Sequence, residues 1–157
     1  PAFVAALDGI FEHSPWVAGR AWPQRPFASR EALLDSLVDT LRSAPRSDQL
    51  ALIRAHPELA GKRAMHGALS AASIREQLGA GLLACMPEEF ALIRDFNTAY
   101  KAKFGFPFVI AMSGLWRGDI IAAMARRLAH EPEVEFAEAL AQIARIAALR
   151  LAERVAD

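Results

Sequence analysis

Apolar side chains in this chain recur at intervals of three and four residues, and the repeats are punctuated by capping residues and prolines. That spacing gives each segment one apolar stripe along a helix. Behind Ser29, a residue type that caps helices, Leu33, Leu34, Leu37, Val38 and Leu41 form one such stripe. Ser47 offers a second N-cap, for a helix that carries Leu50 and Ile53 up to Ala55 and His56 before Pro57 ends it. Helical signals resume near Ser70 or Ser73 and run to about Ala84. Pro87 with Glu88 and Glu89 then opens a helix striped by Phe90, Ile93, Phe96 and Tyr100 and closed by Gly105. Asp119 is suited to cap a helix containing Ile120, Ile121, Met124 and Leu128, and Pro132 opens a long last one through Phe136, Leu140, Ile143 and Ala147.

FGFPFVIAMSG is the one segment with strand-like content, but Pro107 has no amide hydrogen and no partner strand is visible. It is expected to run as extended apolar chain, and the stretch from Gly9 to Phe27, rich in Pro and Trp, as the one long irregular connection. The tryptophans Trp16, Trp22 and Trp116 read as core or rim. The fold class is therefore all-α: a single-domain helical bundle, residues 1–157, of six to eight helices with one extended apolar segment. A chain of 157 residues, 54% apolar and 23% charged, buries a core without disulfides or structural metal.

Eighteen basic residues balance eighteen acidic ones, so no broad cationic field draws nucleic acid or an anionic membrane surface. The start, PAFVAALDGI, has no basic leader, and the longest uncharged run is too short to cross a bilayer, so neither signal peptide nor membrane span is expected. Cys85 has no second cysteine to pair with and lies in an apolar run that reads as buried helix, which favours a reducing, cytoplasmic setting.

His56 sits at a helix end, where free carbonyls and the dipole favour a protonated ring that titrates near neutral pH. Pro57 presents it from a fixed point; the plainer alternative is a histidine that bonds its own helix's carbonyls. In SIREQ, Ser73 and Glu76 match a capping box, while the same turn can instead aim Ser73, Glu76 and Gln77 at one polar ligand. Arg150 shares the stripe of Ile143 and Ala147, where an arginine either reaches out to water or holds an anion; Arg145 and Arg154 are expected to face solvent. His13, His56, His66 and His130 show no metal-ligand spacing, and no nucleophile elbow, phosphate loop or dinucleotide fingerprint is present.

The segments EHSPWVAGRAW, LIRAHPELAGK, SIREQLGAGL, FNTAYKAKFGFPFVIA and IARIAALRL, in that order, resemble the 2-oxo-4-hydroxy-4-carboxy-5-ureidoimidazoline (OHCU) decarboxylases of purine degradation nearly end to end. The resemblance implies cofactor-independent decarboxylation of a small ureide to (S)-allantoin, no metal, and a homodimer. By motif it places the catalytic acid or base on His56 and the catalytic glutamate on Glu76. It makes Pro57, Ser73, Gln77, Phe108, Val109, Ile110, Ala111, Met112 and Arg150 substrate contacts, with the 108–112 stretch acting largely through its backbone. A non-catalytic ureide-binding module and a hydrolase on the same scaffold are the competing readings; the second would want a metal cluster or activated nucleophile.

Overall fold

The computed structural model describes residues 2–60 and 70–156. Among these, eight α-helices and no strand are found, as the periodicity implies. They are α1 (Ala2–Ala6), α2 (Trp16–Ala21), α3 (Arg30–Ser43), α4 (Arg46–Ala55), α5 (Ala71–Gly79), α6 (Pro87–Phe104), α7 (Arg117–Leu128) and α8 (Pro132–Arg154). The long α8 packs against α3, α4 and α6, so its buried face, including Phe136, Ala139, Ile143, Ala147 and Leu151, runs through the middle of the core.

Capping follows the expected chemistry, with shifted positions. Ser29 caps α3 by accepting the Ala32 amide at 3.0 Å, and Leu33, Leu37 and Leu41 are buried behind it. In α4 the cap position belongs to Pro45 rather than Ser47, because the Pro45 carbonyl already accepts the amides of Asp48 and Gln49. Asp119 acts from inside the first turn of α7, reaching back to the Trp116 amide at 2.9 Å. The 9–27 stretch is less irregular than expected, since α2 and a 3-10 turn lie within it, and Val17, Ala18 and Ala21 dock on the core. On α6 the buried stripe is Ile93, Asn97 and Tyr100; Phe96 is half-buried and Phe90 exposed.

α5 ends at Gly79, earlier than Ala84, and a 3-10 turn (Leu82–Ala84) follows. Gly81 makes that break: its φ is +75°, and a Cβ there would come within 2.6 Å of the Trp116 indole. Cys85, expected to be buried in a helix, follows the 3-10 turn half-buried.

Residues 106–112 cross the core without a partner strand, buried from Phe106 to Ile110. Extended backbone in such a place must find partners for its polar groups, and side chains supply them. Arg127 donates to the Val109 carbonyl at 2.8 Å, and Gln142 accepts the Ala111 amide at 3.0 Å. Arg127 is in turn paired with the buried Glu135 at 2.9 Å, which also accepts the Tyr100 hydroxyl. Burial opposes the Glu135 charge, but Arg127 and Tyr100 outweigh it and hold the carboxyl below its ordinary range.

Candidate functional site

Three elements converge beside the 106–112 segment: the end of α4, the first turns of α5, and the last turns of α8. α4 ends at Ala55 because His56 precedes a proline and must be extended, with ψ at 140°. The chain beyond it is tied down from two sides. Gln77 of α5 accepts the Ala60 amide at 3.0 Å, and Asn97 of α6 donates to the Leu59 carbonyl at 3.0 Å. Ala60 itself has a positive φ of 51°, a conformation that these contacts hold in place.

His56 is buried, and its Nδ1 lies 3.0 Å from the Leu52 carbonyl oxygen. A carbonyl only accepts, so Nδ1 carries the hydrogen and Nε2 keeps its lone pair for a ligand. The helix-end position suggested a ring inclined to protonate, and here burial overrules the dipole. Desolvation pulls its proton affinity below the ordinary histidine value, against the upward pull of the Leu52 carbonyl and the Glu12 carboxylate. The plainer reading of His56 holds, since it bonds its own helix's carbonyl, and the same ring also lines the cavity.

The capping box proposed for Ser73 and Glu76 does not form. Ser70 is the N-cap of α5 and accepts the Ser73 amide at 3.1 Å. Ser73 therefore sits inside the first turn, free to donate its hydroxyl to Glu12 at 2.5 Å. Glu76 faces α8, where Arg150 grips it through Nε at 2.9 Å and Nη2 at 2.8 Å. Arg150 does not reach out to water. It is buried, and it also donates to the Gly9 carbonyl at 2.8 Å and to Glu12 at 3.1 Å. Gln77 is fully buried; because its oxygen is turned to the Ala60 amide, its Nε2 donor is left without a partner among the described residues.

These side chains border a small cavity of about 20 Å³. His56, Pro57, Ser73, Glu76, Gln77, Phe108, Val109, Ile110, Met112 and Arg150 all line it, with Leu59 and Ile146. Ala111 does not, since its amide is spent on Gln142 and the residue faces a separate surface hollow with Leu115 and Arg145. Glu76, Met112, Ile146 and Arg150 also line an open cleft of about 540 Å³ outside, so they form the wall between cleft and cavity.

Glu12 had no role in the sequence reading. It is 1% exposed, and its pairing with Ser73 and Arg150 joins residues 61 and 138 positions apart. Burial works against its charge, but the Ser70 and Ser73 hydroxyls and Arg150 prevail and keep the carboxyl below its ordinary range. The signals available were its place at the head of EHSPWVAGRAW, one of the resembling segments, and the apolar pair Ile10–Phe11 beside it. Arg127 was better marked, lying seven and three residues beyond Ile120 and Met124 on one helical face, the same test that picked out Arg150. Among the described residues no group of His, Cys, Asp and Glu has the arrangement to hold a metal ion, and no helix is long and apolar enough to cross a membrane. His66 lies outside the described residues.

A family model described as OHCU decarboxylase matches residues 1–152. The 2-oxo-4-hydroxy-4-carboxy-5-ureidoimidazoline decarboxylase of Haloferax volcanii is 41% identical over 153 residues, covering 98% of this chain and 89% of that protein. Its namesake from Mus musculus is 37% identical over 151 residues, covering 96% of this chain and 85% of that one. A crystal structure of (S)-allantoin synthase superposes with a TM-score of 0.77 at 26% identity over 97% of this chain; the chain spans about half of that longer one, 49%. A crystal structure of OHCU decarboxylase in the presence of (S)-allantoin superposes with a TM-score of 0.74 at 25% identity, covering 92% of this chain and 93% of that one.

Proposed function

The chain belongs to the OHCU decarboxylase family, and from that premise we propose that it converts 2-oxo-4-hydroxy-4-carboxy-5-ureidoimidazoline to (S)-allantoin, with His56 moving the proton. The substrate carries its carboxylate beside a carbon–nitrogen double bond. When carbon dioxide leaves, the bonding pair moves into the ring and onto that nitrogen, so the electron sink belongs to the substrate and no prosthetic group is needed for it.

The protein's work is then to orient the ring, exclude water and direct one proton. The observation that carries this reading is the state of His56, a buried neutral ring with Nδ1 committed to Leu52 and Nε2 available. Such a ring begins as a base. It takes the hydroxyl proton as carbon dioxide departs, then returns it to one face of the neighbouring ring carbon, giving a single enantiomer. Each turnover consumes one further proton, which balances the lost carboxylate.

The unpartnered Nε2 of Gln77 suits a carbonyl of the ligand, and Arg150 suits its carboxylate. The cavity has the size of roughly one water molecule, so binding must part the Glu76–Arg150 wall toward the outer cleft. Phe108, Val109, Ile110 and Met112 supply walls of low polarity, against which charge is stabilised by fixed groups.

Substrate generated in place from urate, followed by circular dichroism, tests the proposal. The wild-type protein should accelerate formation of the (S) enantiomer, and His56→Ala should lose about a hundred- to ten-thousand-fold in rate while remaining folded. An unbiased enantiomer ratio with wild type, or an undiminished rate in His56→Ala, would refute it.

A further inference from the structure

We infer that Glu12 is a positioning residue for the proposed decarboxylation: lying behind the cavity wall, it holds the Arg150 guanidinium and the Ser73 hydroxyl in the orientation a ligand meets. The inference rests on the functional reading above and adds to it a residue outside the cavity lining.

Arg150 has two carboxylate partners, and they differ in kind. Glu76 lines both the cavity and the outer cleft and is partly exposed, so it is the partner a ligand displaces or recruits. Glu12 is buried, pinned at 2.5 Å by Ser73, and cannot follow. When Glu76 turns to the ligand, Glu12 at 3.1 Å and the Gly9 carbonyl at 2.8 Å keep the guanidinium aimed. A charge-assisted bond from a buried carboxylate is the stronger class of hydrogen bond and suits that task.

The same carboxylate fixes what Ser73 offers. A hydroxyl has one proton, and that of Ser73 is given to Glu12. The Ser73 oxygen also accepts a long bond from Arg150 Nη2 at 3.4 Å, so toward the cavity it is an acceptor with one position left, matched to an N–H of a ureide or lactam ring and mismatched to a carbonyl. Glu12 also sets the charge around the base. His56 is faced by Glu12 from the segment between α1 and α2, by Glu76 from α5 and by Arg150 from α8, while exposed His13 stands 3.7 Å from Glu12. Two carboxylates against one guanidinium leave a net negative surround, which favours the imidazolium that forms as His56 takes its proton.

Glu12→Gln keeps shape and removes charge; Glu12→Asp keeps charge and withdraws it by one methylene. The readouts are kcat and KM for (S)-allantoin formation, the pH dependence of kcat/KM, and the NMR titration of the His56 ring. Glu12→Gln should lower kcat about 10- to 100-fold, more than it raises KM, and should move the His56 titration and the acid limb to lower pH. Glu12→Asp should lower kcat while leaving the titration near that of wild type. A Glu12→Gln protein that loses stability but keeps kcat and the His56 titration overturns the inference, because a structural role alone predicts that pattern. Should Glu12→Gln not fold, Glu12→Asp decides, and a kcat within about twofold of wild type overturns it. Absence of (S)-allantoin formation by wild type would refute the decarboxylase reading instead, and the His56 titration would then judge Glu12 by itself.

Discussion

At the scale of single residues, the site is governed by which hydrogen-bonding capacities are already spent. The proton of Nδ1 in His56 goes to Leu52, the proton of Ser73 to Glu12, and the oxygen of Gln77 to Ala60, so each side chain turns one defined function toward the cavity. Gln77→Glu tests this economy with almost no change in shape. The Ala60 amide still finds an oxygen, but the donor facing the cavity is lost to an unpaired carboxyl group, so KM should rise roughly tenfold or more at some cost in stability. A KM equal to wild type in steady-state assays would show that the donor meets nothing. Of these residues, His56, Ser73, Glu76, Gln77 and Arg150 were legible through motif resemblance, because each stands in a string with its own local pattern. Glu12 heads one of the resembling segments, EHSPWVAGRAW, yet was given no role, because its part arises only when residue 12 meets residues 73 and 150. Local propensity left Ser70 and Ser73 as candidates for the start of α5 and matched a capping box at Ser73; the two serines are chemically equal, and tertiary contacts give the cap to Ser70.

At the scale of elements, the helices were readable from spacing and the extended segment from its composition, but what holds that segment was not. Its support comes from helix residues far along the chain, Arg127 and Gln142, and no rule of local sequence links them to Val109 and Ala111. Arg127→Met should be severely destabilising, because Glu135 would remain buried with its main charge partner gone. Breaking such a pair by removing one member costs about 3–5 kcal/mol. Urea unfolding measures the loss, and a change below about 1 kcal/mol would mean that the pair carries little of the segment's anchorage. The Ala60 conformation is a second case, since a positive φ at alanine is not expected from sequence and persists through the Gln77 and Asn97 contacts around it.

At the scale of the whole molecule, the buried ionisable groups tie folding stability to pH. The proton affinity of His56 is lowered by folding, so the unfolded chain binds more protons below the ordinary value of 6.5 and stability falls as pH drops beneath it. Glu12 and Glu135 are also lowered, from an ordinary 4.5; their contribution is present above that value and is lost as pH falls through the folded values. Acidification should therefore weaken the fold in two stages, of which His56→Gln removes a share of the first. Denaturant titrations at a series of pH values check this, and identical slopes for wild type and His56→Gln between about pH 6.5 and 5 would contradict it.

Arg150 clasps Gly9 and Glu12 across 141 and 138 positions of chain. The buried cluster around this guanidinium therefore forms only once α8 has docked on the segment between α1 and α2, however well the helices between them have already settled.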